Sequence, residues 1–168
     1  MYVAAVVLPI DIEGPVHAEV FVVAHDGESI LLTGPCGAAP WDIETQGVDH
    51  PLDLVRSMSD RVLGDVKLLH STSWRWDKSA VILSFVVVID AEEIGAMPAE
   101  PVGRVALARS AATEAPEDIG WLQVLEHGLR HLAWLAAEDD IVQSTLDDPW
   151  KESLSAYVPA PFQQLEVT

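Results

Sequence analysis

The stretch His70-Ser71-Thr72-Ser73-Trp74-Arg75-Trp76 concentrates the side chains best suited to gripping a ligand. Read as a strand whose side chains alternate between faces, it puts His70, Thr72, Trp74 and Trp76 on one face and Ser71, Ser73 and Arg75 on the other. Two indoles on one face could stack a nucleobase or another flat ligand, with Trp41 near the opening and Arg75 at a rim. The competing role for the same indoles is packing, in which they cover the sheet against the C-terminal helix. Trp41, His70, Trp74, Arg75 and Trp76 are therefore the candidate ligand-binding residues.

A second constellation is His127 and His131, four apart on a helical stretch and able to approach one metal ion, with Glu138 about two turns further on. Two histidines lack the third and fourth ligands that make a zinc motif specific. Glu126 and Arg130, at the same spacing, read as ordinary charge dressing of that helix. Cys36 sits in the small-residue loop Gly34-Pro35-Cys36-Gly37 with no base beside it in sequence. There is no phosphate loop, dinucleotide fingerprint, serine elbow or zinc knuckle in the chain.

These residues must be positioned by elements that the hydrophobic pattern predicts. Val3 to Leu8, Val16 to Ala24 and Ser29 to Thr33 read as strands, and Asp26-Gly27 between the last two is a hairpin signal. Gly34 to Gly47 reads as a loop carrying Trp41. Asp49 and His50 precede Pro51, which suits a first helical position, and Leu52, Val55, Met58 and Val62 recur at helical spacing until Gly64. Val66 to Trp76 and Ser79 to Ile89 read as a long hairpin in the middle of a sheet, because the second strand is apolar on both faces. Val102 to Ala108 suggests a short edge strand. Trp121 to Glu138 reads as an amphipathic helix, followed by a helical piece between the acidic runs and a short helix from Pro149 towards Tyr157.

Composition narrows the function classes. The 168 residues, 49% of them hydrophobic, suit a single domain over 1–168 with one core, of which about 139–168 forms a helical extension. Nine Lys and Arg against 27 Asp and Glu give a net charge of -18, which repels nucleic acid and anionic membranes. Free nucleic acid and membranes are excluded as expected partners. The most apolar stretch, Ala80 to Ile89, is about half the ~20 residues needed to cross a bilayer as a helix. The lone cysteine, and an apolar start with no Lys or Arg before it, lead us to expect a cytoplasmic protein.

The order of strand hairpin, Trp41-bearing loop, amphipathic helix Pro51 to Leu63, long hairpin and later C-terminal helix resembles the Nudix hydrolases over about residues 15 to 138. The resemblance implies an α+β fold, an α/β/α sandwich with a mixed central sheet and an amphipathic helix on each side. That family's box presents carboxylates from one helix turn to hold Mg²⁺ or Mn²⁺ against a diphosphate. With Gly64 on the last Gly of the box, the Arg-Glu pair falls on Ser57-Met58 and the Glu-Glu pair on Arg61-Val62. Shifted by one, Arg56 and Asp60 match, but Ser57 and Arg61 occupy the other acidic positions. Asp53, Arg56 and Asp60 then read as a solvated, charge-paired helix face, with Asp53 and Asp60 as the alternative metal ligands.

The resemblance thus implies a degenerate box and a binding or protein-interaction module without catalysis, meeting a protein partner or a small nucleotide-like molecule. An alternative is a metal-dependent hydrolase of nucleoside diphosphate derivatives, recruiting Glu44, Asp49, Asp53 and Asp60, which requires at least three oxygens to converge. Another is a structural homodimer that buries the apolar C-terminal helix.

Overall fold

The computed structural model describes residues 15–45, 50–77, 80–104 and 119–157. These residues form an α+β chain with a mixed six-stranded sheet and four α-helices. The chain divides into two compact units, with the break between Val102 and Gly103.

The first unit holds β1 (Val16–His25), β2 (Ile30–Thr33), β3 (Trp41–Thr45), α1 (Pro51–Val62), β4 (Val66–Asp77), β5 (Ala80–Ile89), a short 3₁₀ turn at Ala91–Ile94 and β6 (Ala99–Pro101). The strand order is β4-β5-β1-β2-β6, with β3 also paired to β1. β1 runs parallel to β5, while β2 takes its Val22–His25 segment and β3 its Val16–Val20 segment, both antiparallel. The β1–β2 turn forms as its sequence dictates: Gly27 has φ 98, and the Asp26 carboxylate accepts the amides of Glu28 and Ser29.

Three sequence expectations are corrected here. The β4–β5 hairpin does not occupy the middle of the sheet; β1 does, and β4 is an edge among the described residues. The stretch expected as a loop contains β3, where Trp41, Ile43 and Thr45 alternate with exposed Asp42 and Glu44. Five residues with two acids give too weak an alternation to stand out. Val102–Arg104, the described part of the edge strand expected over Val102 to Ala108, is not strand, and a strand that was not expected, β6 at Ala99–Pro101, pairs with β2 just before it. Val3 to Leu8, and the part of that expected strand beyond Arg104, lie outside the described residues.

α1 starts at His50, whose side chain accepts the Leu52 amide, with Pro51 following at the first turn. It is stopped by Gly64 at φ 71, a conformation that disfavours any side chain. Val55 and Met58 pack with Ala18, Val20, Leu69, Leu83 and Phe85 into one core on this face of the sheet. Val62, expected inward, is 44% exposed; Leu63, 1% exposed, fills the core in its place because it lies past the last regular turn.

β4 contains the feature that decides where its side chains go. Its pairing with β5 slips between Ser71, opposite Phe85, and Ser73, opposite Ser84, so that Thr72 is an extra residue. Side chains directly opposite one another share a face. Leu69 and Ser71 therefore lie with Val87 and Phe85 on the α1 side, and His70 lies with Val86 on the other. Beyond the extra residue the parity reverses: Trp74 and Trp76, opposite Leu83 and Val81, join the α1 side, and Arg75 joins the face of His70.

The second unit holds α2 (Trp121–Glu138), α3 (Asp140–Thr145) and α4 (Asp148–Leu154). α2 buries Leu125, Leu129, Leu132 and Leu135, which recur at helical spacing. Asp139 caps α3 by accepting the amides of Ile141 and Val142, and Asp147 caps α4 by accepting that of Trp150. Glu126 is not the surface charge that its spacing to Arg130 suggested. It is 4% exposed and forms a two-point pair with Arg104 at 2.9 and 3.1 Å. Arg104 also donates to the Ala156 carbonyl and lies over the Tyr157 ring at 3.9 Å, fastening the segment after α4 to α2.

Candidate functional site

The structure separates the residues that alternation grouped together. His70 is buried, and desolvation pushes its imidazole down to about 4, so the ring is neutral at pH 7. Trp74 and Trp76 lie on the opposite face from His70 and are 47% and 56% exposed. They do not cover the sheet as the packing role requires. Trp41, opposite Val20, is on their face but three strands away, so roughly 14 Å of sheet separates it from Trp74. Its indole N–H is buried and finds no acceptor among the described residues. The set Trp41, His70, Trp74, Arg75 and Trp76 does not converge on one pocket; two exposed indoles on the end of an edge strand remain together.

Arg75 belongs to a different feature, a depression of about 280 Å³ on the face away from α1. Its guanidinium makes a two-point pair with Glu19 at 2.8 and 2.9 Å and also donates to Ser84 Oγ at 3.2 Å. Ser84 Oγ in turn donates to Glu19 at 3.3 Å. Glu19 and Ser84 are in register on β1 and β5, so three strands fix this network. Beside it, His17 Nδ1 and Asp42 Oδ1 are 2.9 Å apart across β1 and β3. Asp77 and the half-buried Ala80 and Ile82 complete the lining on the β4–β5 side. Sequence reasoning did not find Glu19 or Ser84, although a signal was there: each is a polar side chain in a largely apolar strand, and a buried polar side chain requires a partner.

The helix that should clamp a cation in a Nudix enzyme does not offer the ligands. Asp53 and Arg56 sit 3.8 Å apart on the surface, and Asp60 is exposed. Glu44 lies on β3 in register with His17, on the face away from α1, while Asp49 lies outside the described residues. Among the described residues no group of three or more His, Cys, Asp or Glu could hold a metal ion. Mg²⁺ strips its water only for several converging oxygens, so the side chains present on α1 do not fit it.

His127 and His131 do meet on α2: their Nε2 atoms are 3.1 Å apart and their rings lie edge to face. At that distance one ring donates to the other. Glu138, the expected further ligand, is exposed at the far end of the helix. Cys36 is also exposed. No helix among the described residues is long and apolar enough to cross a membrane. No known protein-family model matches this chain, and no curated protein matches it.

Proposed function

We propose that this chain is a non-catalytic binding module on a Nudix-like scaffold, and that it takes an extended, basic segment of a partner protein along β4 beside Trp74 and Trp76. One observation carries this reading: two large indoles stand roughly half exposed, two residues apart, on one face of β4, which is an edge strand among the described residues. Trp is among the side chains that most often anchor protein interfaces, since covering its apolar surface removes much water at little entropic cost. An edge strand supplies unpaired N–H and C=O groups to which an extended peptide can add. The net charge of -18 attracts a basic segment, and Lys or Arg side chains stack favourably on indole.

The Nudix-like part of the reading rests on element order: hairpin, Trp41 strand, amphipathic α1, then β4 and β5, with a later long helix. With Gly64 on the last Gly of the box, Met58, Arg61 and Val62 occupy its acidic positions, which favours a scaffold used for binding over one used for diphosphate hydrolysis.

Selection of short peptides displayed on phage tests the proposal. Enriched sequences should combine Lys or Arg with β-branched residues, and Trp74→Ala/Trp76→Ala should weaken the selected peptides at least about tenfold. Enrichment that is equal on the double variant overturns it. So does self-association through the same edge, seen by light scattering, which would assign those indoles to a second copy of the chain.

A further inference from the structure

We infer that His127 and His131 on α2 chelate a divalent transition-metal ion of the zinc class through their two Nε2 atoms. The site lies within the second unit and is independent of the docking proposed for β4. Residues four apart on a helix stand one above the other, the spacing at which a helix can offer two histidines to one zinc ion. Here that spacing has drawn the rings together, with 3.1 Å between the two Nε2 atoms. An ion about 2.0–2.1 Å from each nitrogen would see them at roughly 100°, between the square-planar and tetrahedral angles.

The tilt of the rings is a second, independent measure. Two imidazoles sharing a proton head-on at this separation would hold their centroids about 5.4 Å apart, whereas two rings aimed at one ion would hold them about 4.8 Å apart. The observed separation is 4.6 Å, with the planes at 69° to each other. Both rings therefore lean off the line joining their nitrogens by about the amount a shared ion requires. The ion takes the place of the shared proton: the donating ring carries its proton on Nδ1 instead, and both Nε2 lone pairs turn to the metal. His131 is 7% exposed and fixed by packing, while the half-buried His127 opens the pair to water. Two protein ligands leave the remaining positions to water, so the ion is held more weakly than in a closed four-ligand centre and exchanges. Imidazole selects Zn²⁺, Cu²⁺ or Ni²⁺ over Mg²⁺, which separates this site from the general attraction of a chain of net charge -18 for any cation.

Calorimetric titration of the full chain with Zn²⁺, and with Mg²⁺ as the control, tests the inference. Zn²⁺ should bind one to one with a Kd below about 100 μM, and Mg²⁺ at least about tenfold more weakly. His127→Asn should weaken Zn²⁺ by at least about tenfold, whereas His17→Gln, at the histidine paired with Asp42, should leave it within about twofold. A measurement on the parent needs no variant: of the six histidines, the two whose ring-proton resonances shift with Zn²⁺ should be His127 and His131. Shifts at other histidines, equal affinity in His127→Asn, or Mg²⁺ binding as tight as Zn²⁺ would overturn the site. No saturable heat up to about 1 mM Zn²⁺ would do the same.

Discussion

The two halves of β4 reverse what their composition suggests. Before Thr72, the strand buries a histidine together with Leu68 and Leu69; after it, the two largest apolar side chains of the strand stand in solvent. The difference comes from one extra residue in the pairing with β5 and from what each half faces. His70 sits opposite Val86 in a dry region, while Trp74 and Trp76 sit towards the end of the strand, opposite Leu83 and Val81. A side chain's hydrophobicity therefore says less about its burial than the register of the strand that carries it.

Deleting Thr72 should have the largest effect, because restoring strict alternation turns Arg75 away from Glu19 and breaks a largely covered ion pair. A cost of about 3–5 kcal/mol is expected in urea unfolding. An unchanged midpoint would mean that the bulge does not set the faces. Phe85→Ala, which opens a cavity beneath α1 on the same face as the indoles, should cost about 3–5 kcal/mol as well.

His70 gives the next effect. Its folded value lies below the ordinary histidine range, so the contribution of the neutral ring is fully present above about pH 6.5. It is lost as pH falls towards about 4, to a total of about 3 kcal/mol. Stability measured at pH 7 and at pH 4.5 should converge in His70→Gln relative to the parent. Equal acid sensitivity of the two would show that the ring protonates freely in the folded chain.

Trp74→Ala, by contrast with Phe85→Ala, should cost under about 2 kcal/mol, since about half of the indole is already in water. Asp53→Ala should cost least, within about 0.5 kcal/mol, because its pair with Arg56 is exposed and long. A larger loss at Asp53 would indicate a role that the surface pair does not explain.

Much of the fold was legible in the sequence where the signal was local. Asp26-Gly27 marked the β1–β2 turn, Pro51 and Gly64 bracketed α1, and the period of Leu125, Leu129 and Leu132 placed α2. β3 was not legible, because five residues alternating with Asp42 and Glu44 look like a polar loop. The candidate site was less legible still. Alternation is a rule about unbroken strands, and nothing in Ser71-Thr72-Ser73 announces that Thr72 is supernumerary. Glu19, Ser84 and Arg75 meet only because β1 lies parallel beside β5 and β5 antiparallel beside β4, a pairing between distant segments that no spacing in the sequence encodes. Arg104 and Glu126 pose the same problem in the second unit, where an i to i+4 rule pointed to Arg130 and a residue far upstream was the partner.

The central claim, that β4 beyond its bulge is a docking edge, is tested most directly by hydrogen exchange with and without a peptide selected on the protein. The account predicts slower exchange concentrated in residues 73–77, lost in Trp74→Ala/Trp76→Ala. Protection that appears elsewhere and leaves those amides unchanged would contradict it.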